Sequence, residues 1–322
     1  MKKVIFALCI FFSAEALMAQ QLPIFSLYRD NSFVLNPAIA GSEDHAIGSI
    51  TYREQWTQVE GNPRTMSANY RSPIPRYSMG LGGQIIYDKT GPTSFMGINI
   101  SYNYQISFAK INPFRWPEFI RRSRLSFGIS GAVYQYRLNA SDIQMEQSND
   151  QALMNSNQSA FMPNFGVGLY YYFDEFYLGY SVPQLVPFNI SFSDPMGESI
   201  MQRELHHYIV MGGSIPLVES KAHHKFFIEP MVWFKYVNGA PFQIDGHLRF
   251  NYKKIFWVGA AYRSSKTMVA EIGFMIKERV QIGYAFDQAI NETRIQMGNA
   301  HEILISYHLK PKKRWGRKNI GF

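Results

Sequence analysis

The sequence predicts an all-β chain: a transmembrane antiparallel barrel of the outer-membrane kind, about fourteen strands in one domain. Three observations predict it. Residues 241–252 alternate strictly, with Phe242, Ile244, Gly246, Leu248, Phe250 and Tyr252 on one parity and Gln243, Asp245, His247, Arg249 and Asn251 on the other. Residues 98–108 repeat the pattern, Ile98, Ile100, Tyr102, Tyr104, Ile106 and Phe108 alternating with Asn99, Ser101, Asn103, Gln105 and Ser107. Successive side chains of a strand point to opposite faces, so each segment has one apolar face and one polar face. Their length matches the roughly 9–11 residues of a membrane-crossing strand. The second observation is composition: aromatics reach 16%, yet no later stretch resembles an apolar helix of about 20 residues. The third is the start of the chain, which reads as a secretory signal. Lys2 and Lys3 are followed by an apolar run from Val4 to Phe12, and Ala19 precedes Gln20-Gln21 at a plausible cleavage point.

Taken in order, residues 1–19 are the leader and leave a mature chain of 303 residues (322 minus 19), which is enough for one large β domain. The sole cysteine, Cys9, lies inside the leader, so the mature chain has no thiol for a disulfide, a metal site or a nucleophile. Residues 20–44 contain Asn36-Pro37-Ala38 and Gly41-Ser42, which favour turns. This segment is expected to order against the barrel's periplasmic side or its lumen. Strands are predicted near 45–53, 64–72, 78–87, 94–108, 123–137, 164–173, 176–183, 204–216, 225–236, 241–252, 254–263, 267–277, 279–287 and 301–309, giving a barrel over 45–309. With both termini periplasmic, connections on that side should be short and those outside long. The turns at 74–77, 174–175, Lys253 and Glu278 fit the short class, and 139–163, 184–203 and 288–300 fit the long one. The connection at 109–122 is the exception.

Charge is unevenly placed. Lys310, Lys312, Lys313, Arg314, Arg317 and Lys318 give the tail 310–322 a charge of +6, and the leader adds +1, so the net +8 leaves about +1 for the body. The tail is expected to form a basic periplasmic patch with Lys110, Arg115, Arg121 and Arg122. In an exported chain this patch suits an acidic protein or lipid headgroups, not nucleic acid.

No constellation points to catalysis, a metal or a cofactor. His206-His207 and His223-His224 are neighbours that a strand would turn to opposite faces. Asp245, His247 and Arg249 share a face with Gln243, without a serine placed for nucleophilic chemistry. They read as lumen-lining groups that pair across strands, as do Glu229, Lys235, Glu271, Lys277 and Glu302. Gly80, Gly82 and Gly83 lack the spacing of a phosphate loop and read as glycines that ease strand packing. A solute porin with an open lumen is the alternative to a barrel that binds proteins. A lipid hydrolase would need a serine–histidine pair that nothing singles out.

Phe25-Ser26-Leu27-Tyr28, Asn31 and Leu35-Asn36-Pro37-Ala38-Ile39-Ala40-Gly41-Ser42 are similar to the opening motif of the PorP/SprF family. Tyr52-Arg53-Glu54-Gln55-Trp56 with Gly61-Asn62-Pro63-Arg64-Thr65 resembles its central signature, and Asp88-Lys89-Thr90-Gly91, Tyr262-Arg263, Gly283 to Asp287 and His301-Glu302-Ile303 follow in family order. Glu54 and Ala300 stand where Asn and Ser are more usual. The resemblance runs from about residue 22 to 309. It implies a noncatalytic outer-membrane component of the type IX secretion system, linked to secretion, to gliding motility, or to surface attachment of adhesins. Its expected partners are secretion components in the periplasm or outer membrane, an exported surface protein or adhesin, and outer-membrane lipid. Asn36-Pro37 is expected to be a turn, Trp56 an interface anchor and Gly61-x-Pro63 a loop bend.

Overall fold

The computed structural model describes residues 23–110, 121–139, 158–173, 176–194, 197–217, 226–291 and 295–310. Its strands, in chain order, are β1 (Ala46–Glu54), β2 (Arg64–Ile74), β3 (Met79–Thr90), β4 (Thr93–Lys110), β5 (Arg121–Leu138), β6 (Gln158–Phe173), β7 (Phe176–Val182), β8 (Phe188–Asp194), β9 (Gly197–Arg203), β10 (His206–Gly213), β11 (Ile215–Pro216), β12 (Phe226–Val237), β13 (Gln243–Tyr252), β14 (Phe256–Arg263), β15 (Thr267–Ile276), β16 (Val280–Ala289) and β17 (Ala300–Leu309). Neighbours pair antiparallel, and β1 closes on β17 from Ala46↔Leu309 to Glu54↔His301. On the other side β10 pairs with β12, from His206↔Val237 to Gly212↔Met231. β8 and β9 form a separate hairpin and β11 only extends the edge of β12, so the result is a closed barrel of 14 antiparallel strands. Closure leaves no open sheet edge to meet lipid.

The alternation of the sequence becomes the barrel's two surfaces. Outward residues of β4, β13, β16 and β17, such as Ile100, Leu248, Ile282 and Ile305, are exposed, while their neighbours Ser101, Arg249, Gln281 and Ser306 are buried. Among the described residues no helix is long and apolar enough to cross a membrane; the strands carry the apolar belt.

One mouth of the barrel, the terminal mouth, holds the start of β1 and the end of β17; the opposite one is the loop mouth. Hairpins at the terminal mouth turn through Lys253-Lys254 and Lys277-Glu278, all four with positive φ. Lys277 therefore occupies an exposed turn and does not face the lumen; the turn takes it out of strand parity. The length rule holds only in part. Connections 183–205 and 290–299 at the loop mouth are long, but 91–92 and 264–266 there are tight. The connection 184–203 is not simply polar loop, since it carries the β8–β9 hairpin. β6 begins at Gln158, six residues before the predicted strand, and extends the pairing with β5 to Leu138↔Gln158. Segment 204–216 divides into β10 and β11 at Ser214.

Residues 23–45 fill the lumen as a strap. Phe25, Leu27, Tyr28, Phe33, Leu35, Ala38 and Ile39 are all almost completely buried. The strap enters at the loop mouth and descends to the terminal mouth, where His45 Nε2 lies 2.8 Å from His308 Nδ1. Two short 3₁₀ turns, Ser32–Val34 and Pro37–Ile39, shape its lower half. Asn36 caps the second, its Oδ1 accepting from the Ala38 amide at 2.9 Å, and Pro37 supplies a pre-set φ at the first position.

Candidate functional site: the strap and the loop mouth

Ser26 is the centre of the upper lumen. Its hydroxyl accepts from Arg53 Nη1 at 2.6 Å and from Arg263 Nη2 at 2.7 Å, and donates to Asp287 at 2.7 Å. Glu302 accepts the backbone amides of Ser26 and Leu27 at 2.5 and 3.0 Å. Ion pairs tie the ring together: Arg53 with Asp287 at 2.7 Å and Glu302 at 3.1 Å, Arg263 with Asp287 at 2.9 Å and Asp245 at 3.4 Å, and Lys235 with Asp245 at 2.5 Å. Buried charges persist only when paired and hydrogen-bonded, and here β1, β12, β13, β14, β16 and β17 all contribute.

A second anchor lies deeper. Asp30 accepts from Arg249 at 2.7 and 3.1 Å and from Gln281 at 2.7 Å, while Arg249 also pairs with Glu271 at 3.0 Å. Arg249 and Gln281 thus give the Asp30 carboxylate the partners its burial requires. Arg29 pairs with Glu229 at 3.2 Å. Tyr28 stacks on Trp233 with centroids 4.0 Å apart and planes within 13°. The Asn36 amide donates to the carbonyls of Leu169 and Tyr180. Lower still, the Ala38 carbonyl accepts from Asn103 at 2.8 Å and Ser126 at 2.6 Å. At several points where it meets the strap the barrel wall is glycine. A Cβ on Gly128 would collide with the Ala38 backbone, one on Gly82 with the Phe33 ring, and one on Gly80 with Gly41. Gly80 and Gly82 thus make room for the strap, a more particular role than easing strand packing.

Above Ser26 the lumen opens into a cavity of about 520 Å³, whose walls include Trp56, Phe95, Asp88, Tyr136 and Gln243. Its rim is clasped: Gln55 N donates to Pro63 O at 2.9 Å, Gly91 N to Gly61 O at 2.8 Å, and Thr57 N to Asn299 O at 3.2 Å. Thr65 donates to Asp88 at 2.5 Å, and Glu54 accepts from Asn62 at 3.0 Å and Arg64 at 3.1 Å.

The family model described as type IX secretion system membrane protein PorP/SprF matches residues 17–307. The chain belongs to the PorP/SprF family. No curated protein matches it in sequence. Among solved structures it is similar to the P. putida toluene transporter TodX, at 8% identity and TM-score 0.45 over 86% of this chain and 93% of that one. It is also similar to a Pseudomonas aeruginosa FadL homologue, at 10% identity and TM-score 0.45 over 85% and 93%. A third is the Acinetobacter baumannii outer membrane protein Omp33, at 8% and 0.39 over 82% and 97%. Membership of this membrane family, with the barrel's apolar belt, places the chain in the outer membrane as a type IX secretion component.

The PorP/SprF motifs, scattered in sequence, gather in three places. Arg53, Asp287 and Glu302 meet on Ser26, and Arg263 joins them. Asn36, Pro37 and Gly41 lie in the strap. Gln55, Trp56, Gly61, Pro63 and Arg64 build the loop-mouth clasp, where Gly61 takes a φ of 69° and bends the loop. Trp56 lines the mouth cavity and takes a φ of 54°. Tyr52 and His301 have the parity of the outer surface; His301 Nδ1 pairs with the Tyr284 hydroxyl at 2.7 Å.

Of the four polar residues on β13, Asp245 and Arg249 enter the ion network, Gln243 lines the mouth, and His247 lies between them with Nε2 unbonded. Lys310 reaches Glu278 at 3.4 Å at the terminal mouth. Lys312, Lys313, Arg314, Arg317 and Lys318, like Arg115 and His223-His224, lie outside the described residues. His206 and His207 do face opposite ways, and among the described residues no group of three metal-ligating side chains occurs. Sequence reasoning singled out neither Asp30 nor Arg29. Their signal is an Arg-Asp pair flanked by the apolar residues Leu27, Tyr28, Phe33 and Val34, whose charges require partners in the wall.

Proposed function

We propose that this PorP/SprF chain is a noncatalytic, strap-filled barrel that serves type IX secretion by binding protein partners, and not by admitting solutes. The observation that carries the reading is the strap itself. It is held by buried ion pairs at Ser26 and Asp30 and packed against glycine positions in the wall. A channel for solutes gains nothing from a filled lumen, whereas a rigid filled barrel offers two fixed faces for partners.

In this reading the terminal mouth is periplasmic, and the basic residues Lys310, Lys312, Lys313, Arg314, Arg317 and Lys318 face an acidic secretion component or lipid headgroups. The loop mouth faces outward, and the 183–205 connection with its β8–β9 hairpin contacts the exported surface protein or adhesin. Deleting the gene should strip one or more large proteins from the surface or medium while small-solute uptake stays near normal. Removing residues 188–203 should impair that delivery while the barrel stays in the outer membrane. A deletion strain with an intact surface proteome and lost solute uptake, together with steady conductance of the purified barrel, would overturn the proposal in favour of a porin.

A further inference from the structure

We infer that Arg64, Lys89 and Arg137 form a docking row on the barrel's outer surface for the phosphorylated headgroup of an outer-leaflet glycolipid. Register brings them together. Arg64 of β2 pairs with Lys89 of β3, Lys89 with Ser94 of β4, and Ser94 with Arg137 of β5. The three cations have outward parity, since their neighbours Thr65, Asp88 and Tyr136 line the lumen cavity. With adjacent strands about 4.8 Å apart, the row spans roughly 14 Å. The Arg64 side chain is 58% exposed, with its Nε 3.1 Å from Glu54 on β1. Three cations against that one carboxylate leave the row at +2.

Height against the apolar belt selects the partner. One step toward the terminal mouth, about 7 Å along the strands, the outward row is Met66, Tyr87 and Met96, all exposed. One step further it is Ala68, Ile85, Ile98 and Val133. The cations therefore stand at the border of the belt, where a leaflet's headgroups begin. Across the barrel the same border carries Phe242, Ile244, Tyr262 and Met268, so among the described barrel strands this charge belongs to one sector. Arginine offers a planar fork of N–H donors that matches phosphate oxygens, and lysine adds a compact charge. Both lay their methylenes on the apolar wall and keep the charge in the headgroup layer. The inference rests on the outward-facing loop mouth of the proposed function, which puts that layer in the outer leaflet. A row of roughly 14 Å is wider than a single phosphodiester and fits a sugar headgroup with its phosphate.

Native mass spectrometry of the purified full-length barrel tests this by lipid retention. The probes are phosphorylated lipid A, the same lipid stripped of phosphate, and phosphatidylglycerol. Each cation at an anionic lipid surface is worth about fivefold in binding, so Arg64→Gln, Lys89→Gln and Arg137→Gln together should weaken retention of phosphorylated lipid A roughly hundredfold. Lys253→Gln with Lys254→Gln, in a turn at the terminal mouth, should leave retention unchanged. Heat-modifiable mobility confirms that both variants are folded. Equal retention by wild type and the triple variant would overturn the inference. So would equal retention of the stripped lipid, a preference for phosphatidylglycerol, or an equal loss in the Lys253, Lys254 variant. Unchanged lipid retention with a loss of surface-delivered protein in cells would also overturn it, and would give the row to an acidic protein. Retention is read on the purified barrel, so its failure is distinct from a failure of the barrel to deliver proteins.

Discussion

Arg53 of β1 and Asp287 of β16 meet at 2.7 Å in the upper lumen, although neither strand pairs with the other. β17 lies between them and supplies Glu302, which Arg53 contacts at 3.1 Å. The strap's Ser26 bridges the same two groups. Two motifs more than two hundred residues apart thus become one interaction across the closure seam. Arg53→Gln leaves two buried carboxylates short of a cation, and losing one partner of a buried pair costs about 3–5 kcal/mol. We expect Arg53→Gln and Asp287→Asn each to lower the urea midpoint of heat-modifiable mobility sharply. The double variant should recover part of the loss, because it leaves fewer charges uncompensated. Strictly additive losses would show that the two residues act independently.

Lipid-facing parity gives a second expectation. Leu248 points outward near the middle of β13, and Ile282 points outward near the start of β16. Leu248→Arg should cost roughly 2–4 kcal/mol near the bilayer midplane, and Ile282→Arg should cost less, because the penalty falls toward the interface. Gln243 lines the loop-mouth cavity, so Gln243→Arg should be far milder. Gln281 has inward parity but is no neutral control, because it donates to Asp30 at 2.7 Å and lies 3.1 Å from His308 Nε2. Equal losses at Leu248 and Gln243 would contradict the assignment of faces.

The barrel was legible because a strand's two faces are written at period two, and the lumen's charges at Asp245, Arg249 and Glu302 fall on that period. The fourteen strands appear where alternation predicts them, with the largest shift at the start of β6, where residues 158–163 read as polar connection. Lys277 was misread because a hairpin turn with positive φ ends the alternation one residue earlier than parity suggests. The strap was harder to read. Residues 23–45 have no periodicity, since their conformation is set by the wall that surrounds them. Glycines at 82 and 128 make sense only once Phe33 and Ala38 are in place. Convergence of Arg53, Arg263, Asp287 and Glu302 is a property of closure, which no local pattern encodes.

Those glycines give a third expectation. Gly128→Val would drive a side chain into the Ala38 backbone, which cannot swing aside, whereas Gly131→Val meets open space. Both variants should still form the heat-modifiable barrel. The first should displace the strap and raise conductance in planar bilayers well above wild type; the second should leave conductance unchanged. A silent Gly128→Val barrel, with the strap still protected from protease, would mean that the wall yields instead.

The lower anchor gives a last expectation. Asp30 accepts two hydrogen bonds from Arg249 and one from Gln281. Asp30→Asn removes the charge and strands Arg249 with Glu271 alone. Losing one partner of a buried pair costs about 3–5 kcal/mol, so this variant should hold the strap more loosely than wild type. Loosening should appear as protease cleavage within residues 23–45 and as raised conductance in planar bilayers. If Asp30→Asn matched wild type in both measurements, the anchor would have to lie elsewhere, with the Ser26 ring the next place to test.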